Sequence, residues 1–99
     1  MNAPSPADRD HMQSAACRRL WCKVALTVLE DAWIAIRKKD ADIPRIRQQV
    51  LMYFRSRDGR EVMALSGITA SPERLADAAV DFNARERVKA LPVFEGLDA

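Results

Sequence analysis

Glycine, histidine and cysteine are scarce in this chain, and each scarcity removes a class of protein. Three glycines and five prolines in 99 residues leave little material for the tight turns of a sheet-rich fold, and no run of alternating strand residues is present. The two cysteines, Cys17 and Cys22, stand five apart, which is neither a CxxC redox pair nor a metal-ligand spacing. On a helix that step points the thiols in different directions, so a bridge between them is sterically disfavoured and two reduced thiols are expected. The one histidine, His11, has no cysteine, glutamate or second histidine nearby and is expected to be solvated rather than to serve as ligand or base. No stretch approaches the ~20 apolar residues of a membrane helix, and the first ten residues lack the apolar core of a secretion signal. The expectation is a cytoplasmic protein with no membrane contact, cofactor, metal or small-molecule substrate.

What is present points to helices. Apolar residues make up 48% of the chain and charged residues 30%, an ordinary globular balance, and 99 residues suit one domain. Residues 1–12, polar and punctuated by Pro4 and Pro6, bury too little to offset their ordering entropy and read as a flexible arm. Residues 13–91 read as a single helical domain. Residues 92–99 read as a tail whose Val93, Phe94 and Leu97 tuck onto the core.

The strongest periodic signal runs from about residue 13 to residue 38. Leu20, Trp21, Val24, Ala25, Val28, Leu29, Ala32, Trp33 and Ile36 recur at three- and four-residue steps, the stripe of an amphipathic helix. Asp42 followed by Pro44 marks a second helix start, with Ile46, Val50, Leu51, Tyr53 and Phe54 on its buried side. A third, short helix carries Val62, Met63 and Leu65 and stops at Gly67, with Asp58–Glu61 as a capping box and Ser56 as the competing cap. Ser71-Pro72-Glu73 opens a fourth, carrying Leu75, Ala76, Ala79, Val80, Phe82 and Ala84 toward Arg87 or Lys89 with a kink near Asn83. The predicted fold is all-α: a compact bundle of about four helices with a helix-turn-helix-like unit near residues 58–82.

Catalysis finds no foothold in this pattern. The carboxylates sit at helix starts (Asp42, Asp58, Glu73) or on solvated faces (Asp77, Asp81, Glu86). Glu30 and Asp31, adjacent on a helix, diverge by about 100°. No enzyme is expected.

The net charge of +2 conceals an uneven spread. Residues 37–60 carry eight Lys or Arg against three Asp, residues 61–99 four against seven, and the first 36 balance. A basic surface attracts phosphate backbone, so Lys38, Lys39, Arg45, Arg47, Arg55, Arg57 and Arg60 are the candidate nucleic-acid-binding residues. The alternative is that these side chains solubilise helix ends and complement their dipoles.

A short helix, a glycine turn and a second helix also make the layout of a DNA-reading unit. The usual small residue before the glycine is Met63 here, and the expected apolar position after it is Glu73, with Leu75 two late. The would-be recognition helix is acidic at Glu73, Asp77 and Asp81, which repels phosphate, so the basic second helix and the corner at residues 56–60 are the better candidates.

The stretch from Tyr53 through Ser56-Arg57-Asp58 to Ala64-Leu65-Ser66-Gly67-Ile68, with Trp21 and Val28-Leu29-Glu30-Asp31-Ala32 before it, resembles small uncharacterised proteins of phages and prophages of alphaproteobacteria. In those an aromatic residue and Ser-x-Asp lead into Val-Cys-x-Leu-Ala-Gly-Ile/Leu-Asp-Pro. The likeness spans roughly residues 20–75. The chain departs from it where Gly59 replaces an aromatic, Met63 a cysteine, and Thr69-Ala70-Ser71-Pro72 lengthens Asp-Pro by two. The resemblance brings no biochemical activity. The basic stretch beside the short helix-turn-helix-like unit leads to the expectation of a small accessory or regulatory protein of a mobile element, binding nucleic acid or the transcription machinery through a basic surface. The alternative is a protein-interaction module or homodimeric adaptor that uses the apolar face of the first helix, whose two tryptophans otherwise serve as core anchors.

Overall fold

The computed structural model describes residues 6–97, with side chains over residues 17–97, and it is helical throughout. The first helix, α1 (Pro6–Ile36), begins seven residues earlier than the apolar stripe suggests. Proline suits a first turn, where its missing N–H has no partner to lose. The helix therefore takes in half of the segment expected to be an arm; residues 1–5 and the His11 side chain lie outside the described residues. No helix among the described residues is long and apolar enough to cross a membrane.

The buried arc of α1 is Cys22, Ala25, Leu26, Leu29, Ala32 and Trp33. It is rotated from the expected stripe: Cys22 and Leu26 are inside, Leu20 is 59% exposed, and Trp21, Val24 and Val28 are half-buried. The rest of the chain settles around that arc. α2 (Ile43–Arg55) is opened by Asp42, whose carboxylate accepts from the Arg45 N–H at 3.2 Å. It sends Val50, Leu51 and Phe54 inward, Phe54 edge-on to Tyr53 with ring centroids 5.1 Å apart.

A single residue then turns the corner. Ser56 ends α2 by donating its N–H to Met52 and Tyr53, and caps α3 (Arg57–Ser66) by accepting from the Gly59 N–H at 3.1 Å. Ser56, not Asp58, is the cap. Gly59 is buried because α3 starts directly on the last turn of α2. A Cβ there would collide with the Tyr53 carbonyl and lie 2.7 Å from the Phe54 Cα, so no larger residue fits. Gly67, at φ 78°, ends α3 in the left-handed conformation.

Ser71 caps α4 (Pro72–Ala79), accepting from the Arg74 N–H at 3.2 Å. The fourth helix does not continue to Arg87. The Asp81 carboxylate accepts from the Asn83 N–H at 3.0 Å, a local turn that competes with helix propagation, and the chain restarts as α5 (Ala84–Lys89). A 3₁₀ turn, Pro92–Phe94, buries Phe94 and leaves Leu97 packed on the core, while Val93 stays 37% exposed.

α3 lies along α1 and α4 lies along α2; the two hardly meet. The unit at residues 58–82 thus has the order of a helix-turn-helix but not its packed pair. The loop between Ser66 and Pro72 is long enough to carry α4 across to α2, which explains the difference.

Candidate binding surfaces

The seven basic residues singled out in the sequence do not converge. Arg47 pairs with Asp77 at 2.8 Å and Arg55 with Glu73, so α4 neutralises two arginines of α2 from across their interface. The Arg55 hydrogen bond holds the Glu73 carboxyl below the usual glutamate range. Lys38, Lys39, Arg45, Arg57 and Arg60 are exposed and carry no ion pair among the described residues. They fall into two groups: Lys38, Lys39 and Arg45 near the start of α2, Arg57 and Arg60 beyond its end. Thirteen residues of helix, about 20 Å, separate the groups, with Asp40, Asp42, Asp58 and Glu61 interleaved.

A concavity lies elsewhere, between α1 and α2. It is an open groove of about 370 Å³ lined by Val28, Ala32 and Ala35 on one bank and Ile46, Val50 and Tyr53 on the other, with Asp31 and Gln49 as its polar members. Ala32 and Ala35 are small, so α1 does not fill the space against α2. Burial, then the nearby Asp58 charge, raise the Tyr53 hydroxyl's pKa and keep it neutral. On helical geometry Ile34 lies on the outer side of the α1 bank and Met52 on the outer side of the α2 bank. Both are strongly exposed, 63% and 62%. Asp31 is exposed and has no ion pair among the described residues.

A second cleft, of about 180 Å³, sits on the other flank of α1, where its last turns meet the α4–α5 turn. Glu30, Trp33, Ile34, Arg37, Phe82 and Arg85 line it. The Arg37 guanidinium carbon lies 4.7 Å from the Phe82 ring centroid and that of Arg85 lies 5.7 Å from it. The Phe82 ring is 39% exposed. Arg85 meets Glu86 at 3.2 Å, and Glu30 meets Lys89 at 3.8 Å. From sequence, Arg37 is one of the basic residues of 37–60 with no site of its own, and Phe82 belongs to the fourth helix. The i-to-i+2 turn written by Asp81 and Asn83 was the signal that Phe82 leaves that helix.

The cysteines offer little chemistry. Cys22 is buried and its thiol donates to the Ser66 carbonyl at 3.2 Å; burial, opposed by Arg18 and Arg19, raises its pKa. Cys17 is exposed and unbridged. Ser66, also buried, is satisfied by donating to the Met63 carbonyl and accepting from the Ile68 N–H. No group of three potential metal ligands occurs among the described residues. No family model matches this chain, nor does any curated protein or solved structure.

Proposed function

We propose that this protein is a non-enzymatic interaction module whose α1–α2 groove receives an amphipathic helix of a partner protein. The observation that carries the reading is the groove itself: an open trough walled by Val28, Ala32, Ala35, Ile46, Val50 and Tyr53. Unfilled apolar surface of this shape matches the helix-in-groove mode of recognition. Exposed Met52 extends the apolar contact beyond the α2 bank, and methionine adapts readily to a partner's shape. The lining runs from Ile46 to Tyr53 on α2 and from Val28 to Ala35 on α1, about 11 Å or two helical turns. Asp31 supplies the charge signature. As the one carboxylate in the lining, without an ion pair among the described residues, it calls for a lysine or arginine on the incoming helix. With the resemblance to phage and prophage proteins, such a module reads as an accessory or regulatory factor of a mobile element, acting on a host or element protein such as one of the transcription machinery.

Selection from a library of helical peptides tests this directly. Binders should carry apolar residues at i, i+3 or i+4, and i+7, with a basic residue opposite Asp31. Repeating the selection on Asp31→Lys should return acidic residues at that position. Failure to select any binder, or a set indifferent to the Asp31 charge, rules the reading out. Sedimentation of the unbound protein supplies the other arm: a tight dimer that protects Ile46 and Tyr53 would make a second copy of this chain the occupant.

A further inference from the structure

Two guanidiniums held on one half-exposed phenylalanine ring are not accounted for by packing. We propose that the cleft between the end of α1 and the α4–α5 turn binds the phosphate of a nucleotide, free or within a single strand. This inference stands apart from the groove.

The arrangement is built rather than incidental. Arg37 belongs to the turn that follows α1, Arg85 to α5, and Phe82 to the turn between α4 and α5, so three segments of chain meet there. Attraction to the Phe82 ring at 4.7 and 5.7 Å restrains both side chains. A guanidinium that offers its face to a ring keeps its in-plane N–H fork for an oxyanion, a geometry suited to phosphate. Two cations brought to one ring repel each other, and an anion between them relieves that repulsion. Arg37 has no carboxylate partner among the described residues, and the partner of Arg85, Glu86, is 83% exposed, so a phosphate displaces it at little cost. Glu30 is the one carboxylate in the lining, and Lys89 opposes its charge at 3.8 Å. Lys38 and Lys39 continue the positive potential from Arg37 along the chain.

The rest of the wall chooses among anions. Trp33, Ile34 and Phe82 make an apolar side beside the two arginines, and Ile34 is exposed there with no packing role. A nucleotide joins a flat, largely apolar base to a phosphate and so satisfies both halves. A carboxylate side chain satisfies only one. The cleft is too small for a duplex, whereas an unstacked base with its own phosphate can enter it.

The test uses the full chain with four probes: inorganic phosphate, thymidine monophosphate, a fluorescent ten-residue oligothymidylate and a glutamate-rich peptide. Binding of a nucleotide probe at low salt, weakened at least tenfold in Arg37→Ala/Arg85→Ala with unchanged far-ultraviolet dichroism, is the expected result. Arg37→Lys, which keeps the charge but not the fork, should also weaken it. Glu30→Gln should tighten it several-fold, and Arg57→Ala/Arg60→Ala should leave it unchanged. Two phosphate contacts on a single strand correspond to a slope of about −1.4 in log affinity against log salt, falling to about −0.7 in Arg37→Ala. Equal affinity for monophosphate and oligomer makes the ligand a free nucleotide; an oligomer bound more than tenfold tighter makes it a strand. The proposal is overturned if no nucleotide binds at low salt, if the double variant binds as well as the parent, or if the glutamate peptide binds more tightly than either nucleotide.

Discussion

The two flanks of α2 are built from similar helices and end in opposite states. Toward α4 the flank is closed. Leu75, Ala76 and Ala79 are buried there, and Arg47–Asp77 and Arg55–Glu73 bridge the exposed edge. Toward α1 it is open, with apolar residues on both banks and no ion pair across them. Asp31 sits where a bridge would start, but the residue facing the same space from α2 is the neutral Gln49. Closing an interhelical seam takes volume in the middle and complementary groups at the edge. The α4 side has both. The α1 side has alanines in the middle and, among the described residues, an unmatched charge at the edge.

The largest expected effect breaks the closed flank from behind. Trp33 is 2% exposed, and its Nε1–H donates to the Ala78 carbonyl at 2.9 Å, tying α1 to the end of α4. Trp33→Ala removes a large buried side chain together with its hydrogen bond to α4, at a cost of about 3–5 kcal/mol out of a total of about 5–10 kcal/mol for a domain of this size. The variant should be largely unfolded or molten at 37 °C by near-ultraviolet dichroism. A variant that folds like its parent yet loses a partner would show that the ring serves an interface. Gly59→Ala comes next. A methyl group there meets Tyr53 and Phe54 backbone, which cannot swing aside as a side chain can, so α3 must lift off α2. About 2–3 kcal/mol is expected, read from urea unfolding, and a shift below about 0.5 kcal/mol would mean that the corner adjusts freely.

Much of the closed architecture was legible because it is written locally. Asp42, Pro44, Gly67, Ser71 and Pro72 are short-range signals, and each marks the boundary expected of it. Burial of Trp33 and Phe94 also follows from the pattern. What depends on partners distant in sequence did not show. The mates of Arg47 and Arg55 lie 30 and 18 residues away on α4, so a run of arginines looked like one free basic surface. Leu26 was missed because the stripe fitted two phases, and tertiary packing chose the one that includes Cys22. Neither the groove nor the Phe82 cleft can be read from one local stretch, since each arises where segments separated in sequence fail to fill the space between them.

Filling the open flank should separate stability from function. Ala35 is half-buried in the groove wall, and Ala35→Leu adds apolar volume toward Ile46 without crossing a packed backbone. Gains of this cavity-filling kind run to about 0.5–2 kcal/mol. The thermal midpoint should rise while helical peptides selected on the parent lose at least tenfold in affinity. A more stable protein that still binds them would show that the occupant does not enter the groove.

The smallest effects lie on the edge of the closed flank, and they resolve by pH. Arg47 and Asp77 are 35% and 67% exposed, and surface pairs of this kind are worth about 0.5 kcal/mol or less, so Arg47→Ala should barely move the unfolding midpoint. Glu73 behaves differently with acid. Its carboxyl is held below the usual glutamate range by the Arg55 hydrogen bond, which means the folded state prefers the ionised form more than the unfolded chain does. That preference is fully present above the ordinary glutamate range and is lost as pH falls through it toward the depressed value. Glu73→Gln should therefore be less stable than the parent at neutral pH, with the two curves converging on acidification. Salt should shrink the gap as well, because both partners are solvent-exposed. A gap that persists unchanged into acid would mean that Glu73 acts through its position in the first turn of α4 rather than through Arg55.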